Sequence, residues 1–304
     1  MPKPIHRVVV TGDAGNRLFD ETAQAILRFL AHRQVQATSF GWAHPSPSAT
    51  PHETQEMIAT LQRLVHACDL IIVLGGDGTF LRMAATTAAW QIPLLGINLG
   101  RLGFLSDVSP DDLARSLDEI LGGHGKLEQR MLLSGRILRG REERLERLAF
   151  NEVCLLKAEP GRILECALAV NQEWISQHRA DGILCATPTG STAYALSSGG
   201  PVLHPDVHGM VVVPICPHTL SDRPIVLPAS ATVSFHVESG STALVIWDGH
   251  HQYQLAPDES VEITMAPHRV PLLHPQGYNY FQLLRHKLLW GTPPRRSNAT
   301  PPAT

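Results

Sequence analysis

Over the first third of the chain, unbroken aliphatic runs alternate with segments whose apolar positions recur every three or four residues. HRVVV (6–10) reads as a buried strand, and Leu18 to Arg33 carries apolar residues at 18, 19, 23, 26, 27 and 30, one stripe of a helix. VQATSF (35–40) is a second strand. A Pro/Ser loop then ends in Thr50-Pro51-His52-Glu53, an N-cap, a proline at the first helical position and a glutamate three residues past the cap, which predicts a helix to about Cys68. LIIVL (70–74) is a strand, Thr79 to Ala89 a helix and IPLLGIN (92–98) a further strand. Strands alternating with helices imply right-handed crossovers and a parallel sheet, which binds ligands at the carboxyl ends of its strands.

Ser109-Pro110-Asp111-Asp112 starts another helix, stopped by Gly122-Gly123. Beyond it the period changes to two: VSFHV (233–237) and VEITM (261–265) alternate between Gly, Pro and Asp turns. The charge run REERLER (141–147) reads as a solvated hairpin loop. The pattern divides the chain into an α/β domain over 1–108, a β-rich domain over 109–278, a helix over 279–291 that packs back on the first domain, and a Pro/Thr-rich disordered tail over 292–304.

Composition narrows the classes. Of 304 residues 43% are hydrophobic and 17% charged, which supplies a sizeable core. A formal charge of −3 gives no field for nucleic acid or an anionic membrane surface. Five scattered cysteines without a CxxC pair read as reduced, buried thiols, and the sixteen histidines include no HExxH, so no protein-only metal site is expected. MPKPIHRVVV lacks a signal peptide's long apolar region, and no stretch nears the roughly 20 apolar residues of a membrane span. The expectation is a soluble, cytoplasmic protein.

The candidate chemistry sits in three places. In LGGDGTF, glycines 75, 76 and 78 free the backbone for positive φ and for close approach of a ligand to main-chain N–H groups. A helix follows, so phosphate is the natural guest, and Gly75, Gly76, Thr79 and, one turn on, Arg82 are candidates to hold it. The single acid, Asp77, suits a group that takes a proton from an attacking hydroxyl or helps hold magnesium; the plain alternative is a helix cap. Neither GxxxxGK[ST] nor GxGxxG is present, Gly125-Lys126 being followed by Leu127. A second stretch, TPTGSTAYALSSGGP (187–201), offers small hydroxyls and a possible stacking ring, Tyr194. Asn151-Glu152, between apolar strand residues, must find polar partners, from a ligand or from the protein itself.

GGDGT at 75–79, LGF at 102–104, NE at 151–152, RADG at 179–182 and TPTGSTAY at 187–194 together resemble the NAD kinase family, over about residues 5 to 290. The resemblance implies an α/β N-terminal Rossmann-like domain plus a β-rich C-terminal domain, with the site between them and the last helix returning to the first domain. It implies transfer of the γ-phosphoryl of ATP, with Mg2+ or another divalent cation, to the 2′-hydroxyl of the adenosine ribose of NAD, in a homodimer or homotetramer. By the same resemblance Asp77 is the proton acceptor and, with Gly78, touches NAD. Asn151 and Glu152 are adenosine-side ligands, Asp181 serves the nicotinamide end, and Arg162 and Arg179 hold the dinucleotide. Phe104 lines the pocket, as do Thr192, Ala193, Tyr194, Ala195, Leu196 and Ser197. Asp248-Gly249-His250 stands where relatives often have Asp-Gly-Gln or Asp-Ser-Gln, which places His250 among the NAD contacts by position alone. Ala195-Leu196 and Arg179 point to the Gram-negative branch. Two rivals remain: a lipid or sugar kinase with the same GGDGT-type turn, and a non-catalytic NAD(P)-binding sensor.

Overall fold

The computed structural model describes residues 4–42, 51–100, 103–106, 108–219, 221–238 and 242–290. Thr50 of the predicted cap, Leu102, and the tail 292–304 lie outside the described residues. In chain order the first elements are β1 (Arg7–Asp13), α1 (Arg17–His32), β2 (Gln36–Trp42), α2 (Pro51–Val65), β3 (Leu70–Leu74), α3 (Asp77–Thr87), β4 (Leu94–Ile97) and α4 (Leu113–Leu121). Strands β2, β1, β3 and β4 lie side by side, all parallel. The aliphatic runs are unbroken because both faces are covered. Val8, Val10, Ile72 and Leu74 meet α1 through Phe19, Ala23, Ile26 and Leu30, while Val9, Ile71 and Val73 meet Phe80, Met83 and Ala84 of α3.

The chain continues through β5 (Lys126–Arg139), β6 (Glu142–Ala149), β7 (Glu152–Lys157), β8 (Leu164–Val170), β9 (Glu173–Ala180), β10 (Gly182–Ala186) and the short α5 (Tyr194–Ser197). It ends with β11 (Gly209–Ile215), β12 (Ile225–Pro228), β13 (Val233–Val237), β14 (Ala243–Trp247), β15 (His251–Leu255), β16 (Glu259–His274) and α6 (Tyr280–Leu288). Sheet one, of ten strands, runs β2-β1-β3-β4-β16-β13-β8-β9, with β5 beside β16 and β6 beside β5. The second has six, β12-β11-β10-β7-β14-β15. Their inner faces meet through Leu133, Phe235 and Val261 on one side and Val153, Ile183, Val212 and Trp247 on the other.

The long β16 joins the two textures. Its Leu272 pairs parallel with Leu94 of β4, while the strand runs antiparallel to β5 over most of its length, with a register break between Met265 and Arg269. Helix α6 shares a groove with Val108, Asp112 and Ser116 and reaches the other half through Tyr280 Oη, which donates to Leu203 O at 3.3 Å.

Two local expectations change. REERLER is not a loop but most of β6, paired with β5; Leu145 packs on the core, and the charges suit a strand with only one neighbour. Not every thiol is buried: Cys154, Cys166 and Cys185 are, but Cys216 is exposed and Cys68 half-buried.

Candidate functional site

The GGDGT turn leaves β3 and enters α3 at Asp77, two residues earlier than the apolar spacing predicts. Gly76, extended at φ −86°, is the N-cap and brings no side chain to it. Only Gly75 takes a positive φ, +149°, so the conformational reading of three glycines holds for one. Gly76 has open space where a Cβ would stand, which leaves the α3 N-terminus accessible. Thr79 Oγ1 donates to Asp13 Oδ2 at 2.8 Å, and Arg82 Nη2 lies 3.4 Å from Asp13 Oδ1.

Asp77 does not cap its own helix. Its carboxylate turns to the segment after β4, where Oδ2 accepts from Phe104 N at 2.8 Å and Oδ1 from Leu105 N at 3.1 Å and Ser106 Oγ at 3.3 Å. A Cβ on Gly103 would stand 1.9 Å from Asp77 Oδ1, so only glycine allows this approach. Buried Asn98 extends the network, Nδ2 donating to Ser106 Oγ at 3.2 Å and Oδ1 accepting from Gly100 N at 2.6 Å. Sequence reasoning missed Asn98 and Ser106 and gave Gly103, within LGF, no role; the polar residue closing IPLLGIN was the available signal for Asn98. Lys287 of α6 stands 5.7 Å over the Phe104 ring.

Glu152 begins β7, Asn151 immediately precedes it, and both are buried. They are held by Asp248, at the end of β14, which accepts from the N–H groups of Phe150 (2.7 Å), Asn151 (2.8 Å) and Glu152 (3.1 Å). Burial, offset in part by those three bonds, lifts the Asp248 carboxyl to about 6. Burial and then the Asp248 charge lift Glu152 to about 8, so near neutral pH Glu152 holds a proton while Asp248 is mostly ionised. Glu152 Oε2 has no hydrogen-bond partner among the described residues. The same carboxyl draws on the backbone of Tyr194, which ties β7 to α5.

Three of the four TPTGST hydroxyls are engaged within the protein rather than free as the sequence suggested. Thr187 Oγ1 donates to Phe150 O (2.7 Å), Ser191 Oγ to Pro188 O (2.6 Å) and Thr192 Oγ1 to Thr189 O (3.0 Å). They fold the turn against Asn151, whose carbonyl oxygen would lie 2.2 Å from a Cβ on Gly190. Beyond it Ala195 is buried, Tyr194 is 39% exposed, and Ser197 Oγ donates to Tyr194 O at 3.1 Å.

His250, in the β14–β15 turn, closes the arrangement: its Nε2 lies 3.3 Å from Gly78 O. Asp77, Gly78, Phe104 and His250 thus form one cluster, and Asn151, Glu152 and Tyr194 a second, joined through Asp248-Gly249-His250. The remaining predicted residues lie outside both clusters: Arg179 on β9, Asp181 between β9 and β10, and Arg162 in the β7–β8 connection. Asp181 pairs with Lys157, Arg179 Nε with Glu165 Oε1 at 2.9 Å, and Arg162 Nε with Glu159 Oε2 at 2.9 Å.

Comparison with known proteins matches residues 9–125 to the ATP-NAD kinase N-terminal domain and residues 150–274 to the ATP-NAD kinase C-terminal domain. The chain is 40% identical over 291 residues to the NAD kinase of Thiobacillus denitrificans, covering 96% of this chain and 99% of that one. With the NAD kinase of Nitrosomonas europaea it shares 44% over 268 residues, 88% of each chain. Among solved structures, yeast NADH kinase complexed with NADH superposes with a TM-score of 0.80 at 23% identity, over 97% of this chain and 91% of that one. An NAD kinase from Archaeoglobus fulgidus in complex with ATP gives 0.71 at 25% identity, over 93% and 98%.

Proposed function

This chain belongs to the NAD kinase family, and from that premise we infer that it transfers the γ-phosphoryl group of ATP to the 2′-hydroxyl of the adenosine ribose of NAD, making NADP. Relatives of that one activity cover both halves of the chain, which leaves the lipid- or sugar-kinase reading and the non-catalytic sensor without support. The observation that carries the reading is the junction at Gly78. There the only acid of the GGDGT turn, Asp77, and the buried Asn151-Glu152 pair are brought toward each other by one turn, Asp248-Gly249-His250.

In this reading Asp77 orients the ribose hydroxyl and receives its proton late in a loose transition state. The accessible N-terminus of α3 receives donor phosphate. Asn151 and Glu152 meet the adenosine, with the segment Thr192 to Ser197 and Phe104 around it. The unused Glu152 Oε2, buried and near neutral pH protonated, is a group in want of a polar partner such as an adenine or ribose atom. Asp181 and Arg179 serve the nicotinamide side, with Arg162 beyond them.

Magnesium bound to the triphosphate would neutralise its charge. The residues fit such an ion, because Mg2+ is usually held by one or two carboxylates plus substrate phosphates, and Asp77 stands at the phosphate end of α3. Among the described residues no group of three acids, histidines or cysteines forms a protein cage.

We place the protein in the cytoplasm as a homodimer or homotetramer. No helix among the described residues is long and apolar enough to cross a membrane. Trp174 and Ile175 on β9, and Ile225 and Val226 on β12, are exposed on strands at the ends of their sheets, as a surface for another copy would be.

The direct test is incubation with NAD, ATP and magnesium, followed by detection of NADP with an NADP-specific dehydrogenase. NADP above the blank is expected. Its absence from a preparation that still binds NAD would return the sensor reading.

A further inference from the structure

Strand β9 reads EWISQHRA, and its pairing with β8 breaks once. Ser176 pairs with Leu168 and Trp174 with Ala169, so Ile175 is the extra residue of a β-bulge. Beyond the bulge Ser176 and His178 lie two residues apart on one face of the strand. Both line a cavity of about 380 Å³ whose apolar wall is Leu168, Ile175, Val212, Pro214 and Ile225. The segment before β12 folds over β9, where His218 N donates to Arg179 O at 2.9 Å, and it brings Asp222 to the same cavity.

The three polar side chains form two consecutive hydrogen bonds. His178 Nδ1 lies 3.0 Å from Asp222 Oδ2, and its Nε2 lies 2.8 Å from Ser176 Oγ. A carboxylate only accepts, so Nδ1 carries the proton of the neutral ring, Nε2 is the acceptor, and the Ser176 hydroxyl donates to it. His178 is 5% exposed and the Asp222 side chain 12%, whereas Ser176 is half-buried at the cavity wall. A buried histidine needs partners for both ring nitrogens, and that need alone accounts for the two bonds. It does not account for an apolar cavity beside the hydroxyl, or for the cation Arg223 bordering the same space. A serine bonded to an oriented imidazole is an activated nucleophile, and a nearby guanidinium stabilises the charge that a carbonyl oxygen gains under attack.

We propose that Ser176 is a second nucleophile of this protein, which takes the acyl group of a small apolar ester. Ser176 Oγ adds to the ester carbonyl while its proton passes to His178 Nε2, with Asp222 holding the ring. The C–O bond to the leaving alcohol then breaks, and the alcohol departs with the proton from Nε2. What remains is an ester on Ser176, with no change of oxidation state. The walls select an aliphatic acyl group, and a cavity near the lower end of the roughly 300–1,000 Å³ typical of ligand pockets limits its size. Ser176, His178 and Asp222 have no role in the phosphoryl transfer described above, so the proposal stands apart from the kinase reading.

The test is chemical labelling of the full chain. An alkyl fluorophosphonate loses fluoride to an activated serine, and p-nitrophenyl butyrate releases p-nitrophenolate as its acyl group moves. Mass spectrometry should find about one fluorophosphonate adduct per chain, on the peptide holding Ser176, and none on that peptide in Ser176→Ala. Asp222→Asn, which no longer fixes the tautomer of the ring, should slow both reactions at least about tenfold. Ser176→Ala should form NADP at a rate within about twofold of the wild type. An unlabelled Ser176 in the folded wild type would overturn the proposal and leave the three residues as a structural network. Assembly that seals the cavity at Ile175 and Ile225 would give that same result and count against it equally. Labelling of folded Asp222→Asn at the wild-type rate would also overturn it, because Ser176 would then react without an oriented base.

Discussion

Asp77 is tied to three donors of one loop, so its substitution reaches further than the loss of a base. In Asp77→Asn an amide N–H₂ replaces one of the oxygens that now face Phe104 N, Leu105 N and Ser106 Oγ. Turnover should fall by at least about a hundredfold, the scale of a lost general base, while NAD remains bound. Coupled NADP detection and NAD calorimetry on one preparation decide it; near-normal turnover would remove the proton-acceptor role. Glu152 yields a prediction in pH. Its folded value of about 8 lies above the ordinary 4.5, so the folded state holds a proton that the unfolded chain releases. That stabilisation is complete below about pH 4.5 and is lost as pH rises through 8. At about 1.4 kcal/mol per unit it is of the order of a few kcal/mol. Glu152→Gln keeps the neutral shape and removes the titration. Its melting temperature, relative to the wild type, should therefore rise from pH 5 to about pH 8 and level off above it. Parallel melting curves across that range would mean that Glu152 is ionised in the fold.

At the scale of elements, the turn between β14 and β15 works as a clasp. Asp248 takes a positive φ of 49° and holds three consecutive N–H groups at the start of β7, while His250 touches the start of α3. Asp248→Asn leaves one oxygen for three donors and should destabilise the fold by about 1–3 kcal/mol. It should also raise KM for NAD, because Asn151 and Glu152 lose their fixed register. Denaturant unfolding and steady-state kinetics together test this, and unchanged KM with lowered stability would confine Asp248 to folding. This element shows where sequence reading stops. Period-two and period-three-to-four patterns located β3, α3, β4 and the β-rich half because burial imposes them locally. GGDGT and TPTGSTAY stood out because runs of small residues are rare. Asp248 acts through contacts 96 to 98 residues away and Gly103 through close approach to Asp77, and no hydrophobic period announces either. Likewise REERLER read as a loop because its pairing partner β5, which makes it a strand, leaves no mark in its composition.

At the scale of the molecule, the two sheets expose apolar residues at neighbouring margins: Ile175 of β9 and Ile225 of β12 border one cavity of about 380 Å³. If those margins meet another copy, Ile175→Lys together with Ile225→Lys should shift the mass in solution toward the 33.2 kDa single chain, with the fold retained. Light scattering on both proteins measures it, and a wild type already at that mass would end the proposal of a dimer or tetramer. The strand β16 has a consequence of another kind, in the timing of synthesis. The parallel sheet that presents Asp77 receives its neighbour at Leu94 only from Leu272, 178 positions later. At about 5–20 residues per second, the ribosome needs roughly 10–35 s to deliver that neighbour after β4 has emerged. Throughout that interval the side of β4 at Leu94 is an edge on the nascent chain, covered only at Ile97 by the bridge to Val108, and a natural point for chaperone attention. Chains truncated before residue 259 should therefore remain chaperone-bound or aggregate, although every residue of β1 to β4 is present.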